Sequence, residues 1–337
     1  MNSNVFLSVL GDPQDAALAA QIKHAVEKAG RILVTGHERP DGDCIGSVSA
    51  LCSILRALGK SAAGVLADAV PVKYDYLNTD GALRQAAPGE IFEADLVFVL
   101  DSTDLSRIRI QPSQFGEAQL IDIDHHQANP NFGTINWVDT RAAATAELIW
   151  RLAANNAWQA PKLALDALYT GLVTDTGQFA YSNTTPRVLR MAAEAVEHGV
   201  DPESIWQRIY LNKTESELAL DARARASLQC IAGGRICSIA LRYSDFVETG
   251  TGPQNTEDMA QIARSIKGVQ LSAFFYEIDE GRKTKCSLRA SRGVDVRVLA
   301  QTFGGGGHTQ ASGCTINLPL AEAKKLFLER AEAYLQS

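Results

Sequence analysis

The chain has 337 residues, 46% of them hydrophobic and 21% charged, enough for two domains that each bury a core. A net charge of −7 argues against a protein that coats long nucleic acid nonspecifically, although a bound cation or a local basic patch still suits short nucleotides. No apolar run approaches the roughly 20 residues that cross a bilayer, and the start "MNSNVFLSVLGDPQD" lacks the basic segment and apolar length of a secretory signal, so a cytoplasmic protein with no membrane contact is expected.

"RILVTG" (31–36) reads as a buried strand and leads into a helical pattern through "GSVSALCSILRALGK". "ADLVFVLD" (94–101) and "AQLIDID" (118–124) are further strands. Apolar strands separated by helices predict a mostly parallel sheet flanked by helices on both faces. "ATAELIWRLAANN" and "LALDALYTGLVTDTG" then read as helices. "TTPRVLRMAAEAVEHGVD" has a threonine cap, Pro186 at the first helical position and Gly199 at its end. "TESELALDARARASLQ" opens on a Thr214–Glu217 capping box and reads as a connecting helix. Beyond about residue 226 come strand-like "RICSIALRY", "VQLSAFFYEI" and "KTKCSLRAS", with helices over "VDVRVLAQTF" and "LAEAKKLFLERAEAYL".

The predicted architecture is α/β with two domains. Residues 1–200 form the first, 201–225 a helical linker, and 226–337 a smaller α/β domain, with an active-site cleft between the two domains. The six cysteines (Cys44, Cys52, Cys230, Cys237, Cys286, Cys314) show no CxxC spacing, which predicts buried reduced thiols rather than zinc–thiolate sites or structural disulfides.

The unusual side chains fall at the carboxyl ends of the predicted strands. Strand 31–36 delivers His37, Asp41 and Asp43; strand 94–100 delivers Asp101; strand 118–123 delivers Asp124, His125 and His126. Asp175 joins them from "TGLVTDTGQF". Taken singly, Asp41 and Asp43 in "PDGD" read as turn or cap residues, Asp101 as a helix cap, and the histidines as satisfied core residues. Taken together they converge on the crevice where open α/β sheets bind ligands. Hard oxygen with imidazole and no thiolate suits Mn²⁺ or a related divalent ion. The ligands are too many for one ion with an open position, and two ions sharing a carboxylate use them more naturally. Asp41 would then hold one cation and Asp43 its neighbour.

"HERPDGDCIGS", "VLDSTDLSR", "IDIDHH" and "LVTDTG" resemble, in order and spacing, the four motifs of the DHH phosphoesterases, named for a triplet present here as Asp124-His125-His126. "FGGGGHTQASG" (303–313), preceded by "CSLRAS", resembles the DHH-associated nucleotide-binding domain. The resemblance implies one ion held by His37, Asp41 and Asp101, and another by Asp43, Asp101, His125 and Asp175. Asp101 would be the shared bridge, His126 would face the substrate phosphate, and Asp124 would orient a neighbouring histidine. His126 or Arg107 would stabilise charge on the phosphoryl oxygens during in-line attack by a hydroxide. Arg39 departs from the pattern, because many relatives have asparagine there.

In the C-terminal half, Gly304 to Gly307 allow the backbone to approach an anionic ligand, with His308 and Arg289 beside them. A flexible loop is the alternative for such a run. Between residues 281 and 310, six lysines and arginines face Asp295 alone, giving about +5. The expected substrate contacts are therefore Arg289, Gly305, Gly306, Gly307, His308 and Arg107. The compact two-domain relatives degrade short oligoribonucleotides to mononucleotides and remove the 3′-phosphate of 3′-phosphoadenosine 5′-phosphate; others of this size hydrolyse cyclic dinucleotides such as cyclic di-AMP, or their linear products. The resemblance thus implies short RNA or dinucleotides as substrate, not long polymers. An inorganic pyrophosphatase shares the N-terminal motifs but has no use for the glycine-rich segment, and a nucleotide sensor has no use for a full ligand set. A homodimer is a natural candidate for the assembly.

Overall fold

The apolar runs of the N-terminal half assemble into a six-stranded parallel sheet. The computed structural model describes residues 5–8, 15–256, 259–291, 293–307 and 309–336, and the chain divides into two compact units, Met1–Asn212 and Lys213–Ser337. The first unit runs β1 (Val5–Phe6), α1 (Asp15–Lys28), β2 (Arg31–Thr35), α2 (Gly42–Ala57), β3 (Ser61–Leu66), β4 (Leu83–Gln85) and β5 (Leu96–Leu100). It continues through β6 (Gln119–Asp124), β7 (Ile135–Val138), α3 (Thr145–Asn155), β8 (Gln159–Ala160), α4 (Lys162–Asp175), α5 (Pro186–Glu197) and α6 (Pro202–Tyr210).

Strand order is β4-β3-β2-β5-β6-β7, parallel throughout. The order reverses between β2 and β5, which makes that pair the switch point where a crevice opens beyond the strand ends. β5 is buried along its whole length: Leu96, Phe98 and Leu100 enter one core cluster, and Val97 and Val99 the opposite one. That is the doubly covered strand which the continuous apolar run predicts. β1 and β8 form a separate antiparallel ribbon. α1, β3 and β7 escaped the sequence reading. "SAAGVL" in β3 is too poor in branched residues to announce a strand, and "INWV" is too short to show periodicity.

Glycines set the distance between α2 and α4. A Cβ on Gly46 would lie 2.5 Å from the Ala167 carbonyl oxygen, and one on Gly171 would lie 2.6 Å from Ala146 Cβ and 2.7 Å from Asp43 Oδ1. The helices therefore pack nearly backbone to backbone, and Asp43 is fixed at the point of contact.

The second unit holds α7 (Glu215–Ala226), β9 (Gln229–Ile231), β10 (Ile236–Leu241), α8 (Tyr243–Thr249), α9 (Ala260–Arg264), β11 (Leu271–Ile278) and β12 (Lys283–Ala290). It ends with α10 (Val296–Gln301), β13 (Gly306–Gly307), β14 (Ala311–Ile316) and α11 (Leu320–Gln336). Its sheet, ordered β13-β14-β12-β11-β10-β9, is mixed: among the described residues β10 and β11 pair in parallel and the other neighbours antiparallel. Alternation along β11 sends Leu271, Ala273 and Phe275 to a core with α10 and α11, and Phe274 and Tyr276 to a core with α7 to α9. Segment 201–225, read as a linker, contributes to both units: Ile205 and Ile209 join the first core, Leu220 and Ala224 belong to the second unit.

One expectation is corrected. Cys230 and Cys237 are joined in a disulfide, because the β9–β10 hairpin places them directly opposite each other with Cα atoms 4.1 Å apart. The remaining four cysteines are free and buried.

Candidate metal centre

The switch point delivers the site. β2 ends at Thr35, and His37 follows two residues later with its ring buried. Its Nδ1 lies 2.8 Å from the Glu38 carbonyl. An Nδ1–H donating there leaves Nε2 with a free lone pair. Nε2 stands 3.5 Å from Asp101 Oδ2 and 3.7 Å from Asp41 Oδ1. Asp41 caps α2, its Oδ1 accepting from the Asp43 and Cys44 N–H groups. The cap reading and the ligand reading therefore both describe it.

Asp43 is fully buried in the first turn of α2. Its Oδ2 accepts the Thr145 N–H at 2.6 Å, and its Oδ1 accepts the Ala146 N–H at 2.9 Å and the Ser47 hydroxyl at 3.2 Å. The N-terminus of α3 thus supports a carboxylate that burial alone would disfavour. Asp101 follows β5 in a left-handed conformation, φ 54°, which aspartate tolerates better than most residues. Its N–H is tied to the Ile123 carbonyl at 3.1 Å, and its Oδ1 accepts the Thr145 hydroxyl at 3.1 Å.

β6 ends in the triplet. Asp124 Oδ1 accepts the backbone N–H of His125 and of His126, and takes His126 Nδ1 at 2.7 Å. Asn129 Nδ2 donates to Asp124 Oδ2 at 2.9 Å, to Asp122 Oδ1 and to the Ser102 carbonyl. Asp124 therefore orients the His126 ring through Nδ1. His125 Nε2 lies 3.5 Å from Asp101 Oδ1, 3.3 Å from Asp175 Oδ2 and 3.9 Å from Asp43 Oδ2. Asp175 reaches this point from the last turn of α4.

The structure thus brings together His37, Asp41, Asp43, Asp101, Asp124, His125, His126 and Asp175. Asp101 turns Oδ2 toward His37 and Oδ1 toward His125, as a carboxylate shared between two positions would. Sequence reasoning missed three neighbours. Thr145 and Asn129 are small polar residues with no pattern signal, and Cys44, which forms a group of potential ligand atoms with His37 and Asp101, reads as an ordinary core thiol. Arg107 sits in the turn after Asp101, its carbonyl accepting the Glu38 N–H at 2.6 Å. Arg39 adopts φ 50°, the left-handed region that asparagine enters more readily.

The electrostatics are those of a cation site. Burial and the nearby Asp101 charge push Asp43 up to about 7, against His125 and the Ala146 N–H. Burial and Asp43 raise Asp175 well above the carboxylate range. Burial resists ionisation of Asp101 too, but hydrogen bonds and charge from His125 and His37 hold it well below. Burial opposes charge on both histidines, yet the Cys44 thiol and the carboxylates raise His37, and Asp101, Asp175 and Asp43 raise His125. Protons on imidazole and carboxylate supply the positive charge that divalent ions supply in exchange. Oxygen and imidazole donors on both sides of Asp101 fit such ions.

In the second unit the last two glycines of the run, Gly306 and Gly307, form an edge strand, and Gly304 and Gly305 lead into it. Gly306 pairs with Gly313 and Gly307 with Ser312. A Cβ on Gly305 would lie 2.1 Å from the Gly313 carbonyl oxygen, and Gly307 has φ 139°, so glycine at these two positions lets the chain lie on β14. Arg289 pairs with Ala311 one strand further in. His308 and Arg292 lie outside the described residues.

Residues 31–172 match the DHH family, N-terminal domain, and residues 238–337 match the DHHA1 domain. The bifunctional oligoribonuclease and PAP phosphatase NrnA of Thermus thermophilus is 34% identical over 93% of this chain and 92% of its own length. The Bacillus subtilis protein of the same name is 28% identical over 85% and 89%. Among solved structures, an exopolyphosphatase-related protein from Bacteroides fragilis superposes with a TM-score of 0.88 at 26% identity, covering 95% of this chain and 98% of that one. With both domain models matched and the triplet at the end of β6, the chain belongs to the DHH family of phosphoesterases.

Proposed function

We propose that this chain is a manganese-dependent phosphodiesterase that degrades short oligoribonucleotides to mononucleotides and removes the 3′-phosphate of 3′-phosphoadenosine 5′-phosphate in the cytoplasm. The observation that carries the reading is Asp101, buried between His37 and His125 with one oxygen toward each. The names of the relatives at 34% and 28% identity support the substrate class. Oxygen and imidazole donors favour manganese.

Two divalent ions at this site would supply Lewis acidity toward the phosphate and a hydroxide near neutral pH. The protein's own groups do the rest. His37 and Asp41 on one side of Asp101, and Asp43, His125 and Asp175 on the other, hold the charge pair in register. His126, fixed through Nδ1 by Asp124, presents Nε2 to a phosphoryl oxygen. Burial resists the Asp124 anion, but the His126 bond keeps its carboxyl below the ordinary range, so the orienting charge persists near neutrality. Arg107 adds a cation for the phosphate. In the second unit, Arg289 and the backbone of Gly305 to Gly307 are the groups for nucleotide contact.

The test is a parallel assay in Mn²⁺ on 5′-labelled di- to pentaribonucleotides, linear and cyclic di-adenylate, 3′-phosphoadenosine 5′-phosphate and pyrophosphate. Turnover of the short RNA series and of the bisphosphorylated nucleoside is expected. Activity on pyrophosphate alone would overturn the reading, and a preference for cyclic di-adenylate would replace its substrate.

A further inference from the structure

Cys44 stands where a metal ligand could stand, in a site whose other donors are hard. Its sulfur, a nitrogen of His37 and an oxygen of Asp101 all lie within 4.8 Å of one another, and all three residues are buried. The chain is shaped around that sulfur: a Cβ on Gly36 would lie 2.3 Å from Sγ, so the turn from β2 into His37 closes over the thiol only because residue 36 has no side chain. The partner donor is oriented as well. The Glu38 carbonyl engages His37 Nδ1 at 2.8 Å, and Nε2 faces Asp101 Oδ2 at 3.5 Å. Donors 2.0–2.3 Å from a tetrahedral ion stand about 3.3–3.8 Å apart, so the imidazole–carboxylate edge of such a site is already formed.

We propose that this position has a second cation-binding mode, in which a thiophilic ion such as Zn²⁺ is held by Cys44 Sγ, His37 Nε2 and an Asp101 oxygen in competition with the harder ion used for hydrolysis. Thiolate selects zinc and cadmium over manganese and magnesium. As the sulfur–metal bond forms, the thiol proton is released to solvent and the ion keeps its oxidation state. Because the same capture engages Asp101, it withdraws the bridging carboxylate from the arrangement that hydrolysis needs, and zinc becomes an inhibitor at this position.

The inference rests on the two-ion reading of the site but not on any substrate, so the two fail separately. Metal-free protein is loaded with Co²⁺ as a spectroscopic stand-in. The wild type is expected to show a near-ultraviolet thiolate-to-cobalt charge-transfer band that Cys44→Ser lacks, and saturating Mn²⁺ is expected to abolish the band in the wild type. The ratio of Zn²⁺ to Mn²⁺ affinity should fall at least about tenfold in Cys44→Ser. Cobalt bound without the band overturns the proposal. So does a band that persists in Cys44→Ser and disappears in Cys286→Ser, since Cys286 and Cys314 face each other across β12 and β14. If Cys44→Ser does not fold, the Mn²⁺ competition on unaltered protein decides alone: a band that excess Mn²⁺ leaves intact refutes the assignment.

Discussion

Thr145→Val removes one hydroxyl from the buried heart of the site and keeps its shape. The hydroxyl donates to Asp101 Oδ1 at 3.1 Å, whereas the Thr145 N–H that serves Asp43 at 2.6 Å belongs to the backbone and survives the substitution. A hydrogen bond to a charged group is worth about 1.5–3 kcal/mol. At 1.4 kcal/mol per decade that is roughly ten- to a hundredfold in affinity, the same range found when an outer partner of a metal ligand is lost. Calorimetric titration of Mn²⁺ into wild type, Thr145→Val and Thr145→Ser should therefore show affinity reduced by about that factor in the valine variant. The serine variant, which keeps the donor, should stay close to wild type. A folded Thr145→Val protein that binds Mn²⁺ as tightly as wild type would refute the idea that Asp101 is held in place by this bond.

Gly171→Ala would bring a methyl group to 2.6 Å from Ala146 Cβ and 2.7 Å from Asp43 Oδ1. It should cost about 1–3 kcal/mol in urea unfolding and weaken Mn²⁺ binding together with stability; unchanged unfolding would contradict the close packing of α2 and α4. Asp122 is buried, and burial with the Asp124 charge lifts it from 3.8 to about 7 despite its Asn129 hydrogen bond. Folded protein thus retains a proton that the unfolded chain loses, so stability should fall as pH rises from about 4 to about 7 and then level off. Asp122→Asn has no such proton, and its stability advantage should grow across that window; parallel pH profiles would show that Asp122 is ionised in the fold.

Strand ends were the most legible feature of the sequence, because a buried parallel strand needs an unbroken apolar run and an acid or histidine directly after one is conspicuous. β2, β5 and β6 lie within a residue or two of the expected limits, and the side chains that follow them meet as the crevice rule requires. What escaped was whatever depends on tertiary contact alone. Thr145 is an ordinary first-turn residue until α3 is seen against Asp43, and Asn129 looks like a loop residue until its amide is seen shared by Asp122, Asp124 and the Ser102 carbonyl. Cys44 gives no spacing signal because its partners come from β2 and β5. The disulfide was misread for the same reason: Cys230 and Cys237 stand seven positions apart, and only the hairpin register makes them neighbours. Arg39, singled out from the sequence without an assigned role, occupies a backbone position with φ 50°.

Diffraction from crystals grown in Mn²⁺, recorded at the manganese absorption edge, tests the central claim most directly. Two anomalous peaks roughly 3.5–4 Å apart are predicted, one contacted by His37, Asp41 and Asp101 and the other by Asp43, Asp101, His125 and Asp175. No peak among these residues, or a single ion that does not touch Asp101, would contradict it.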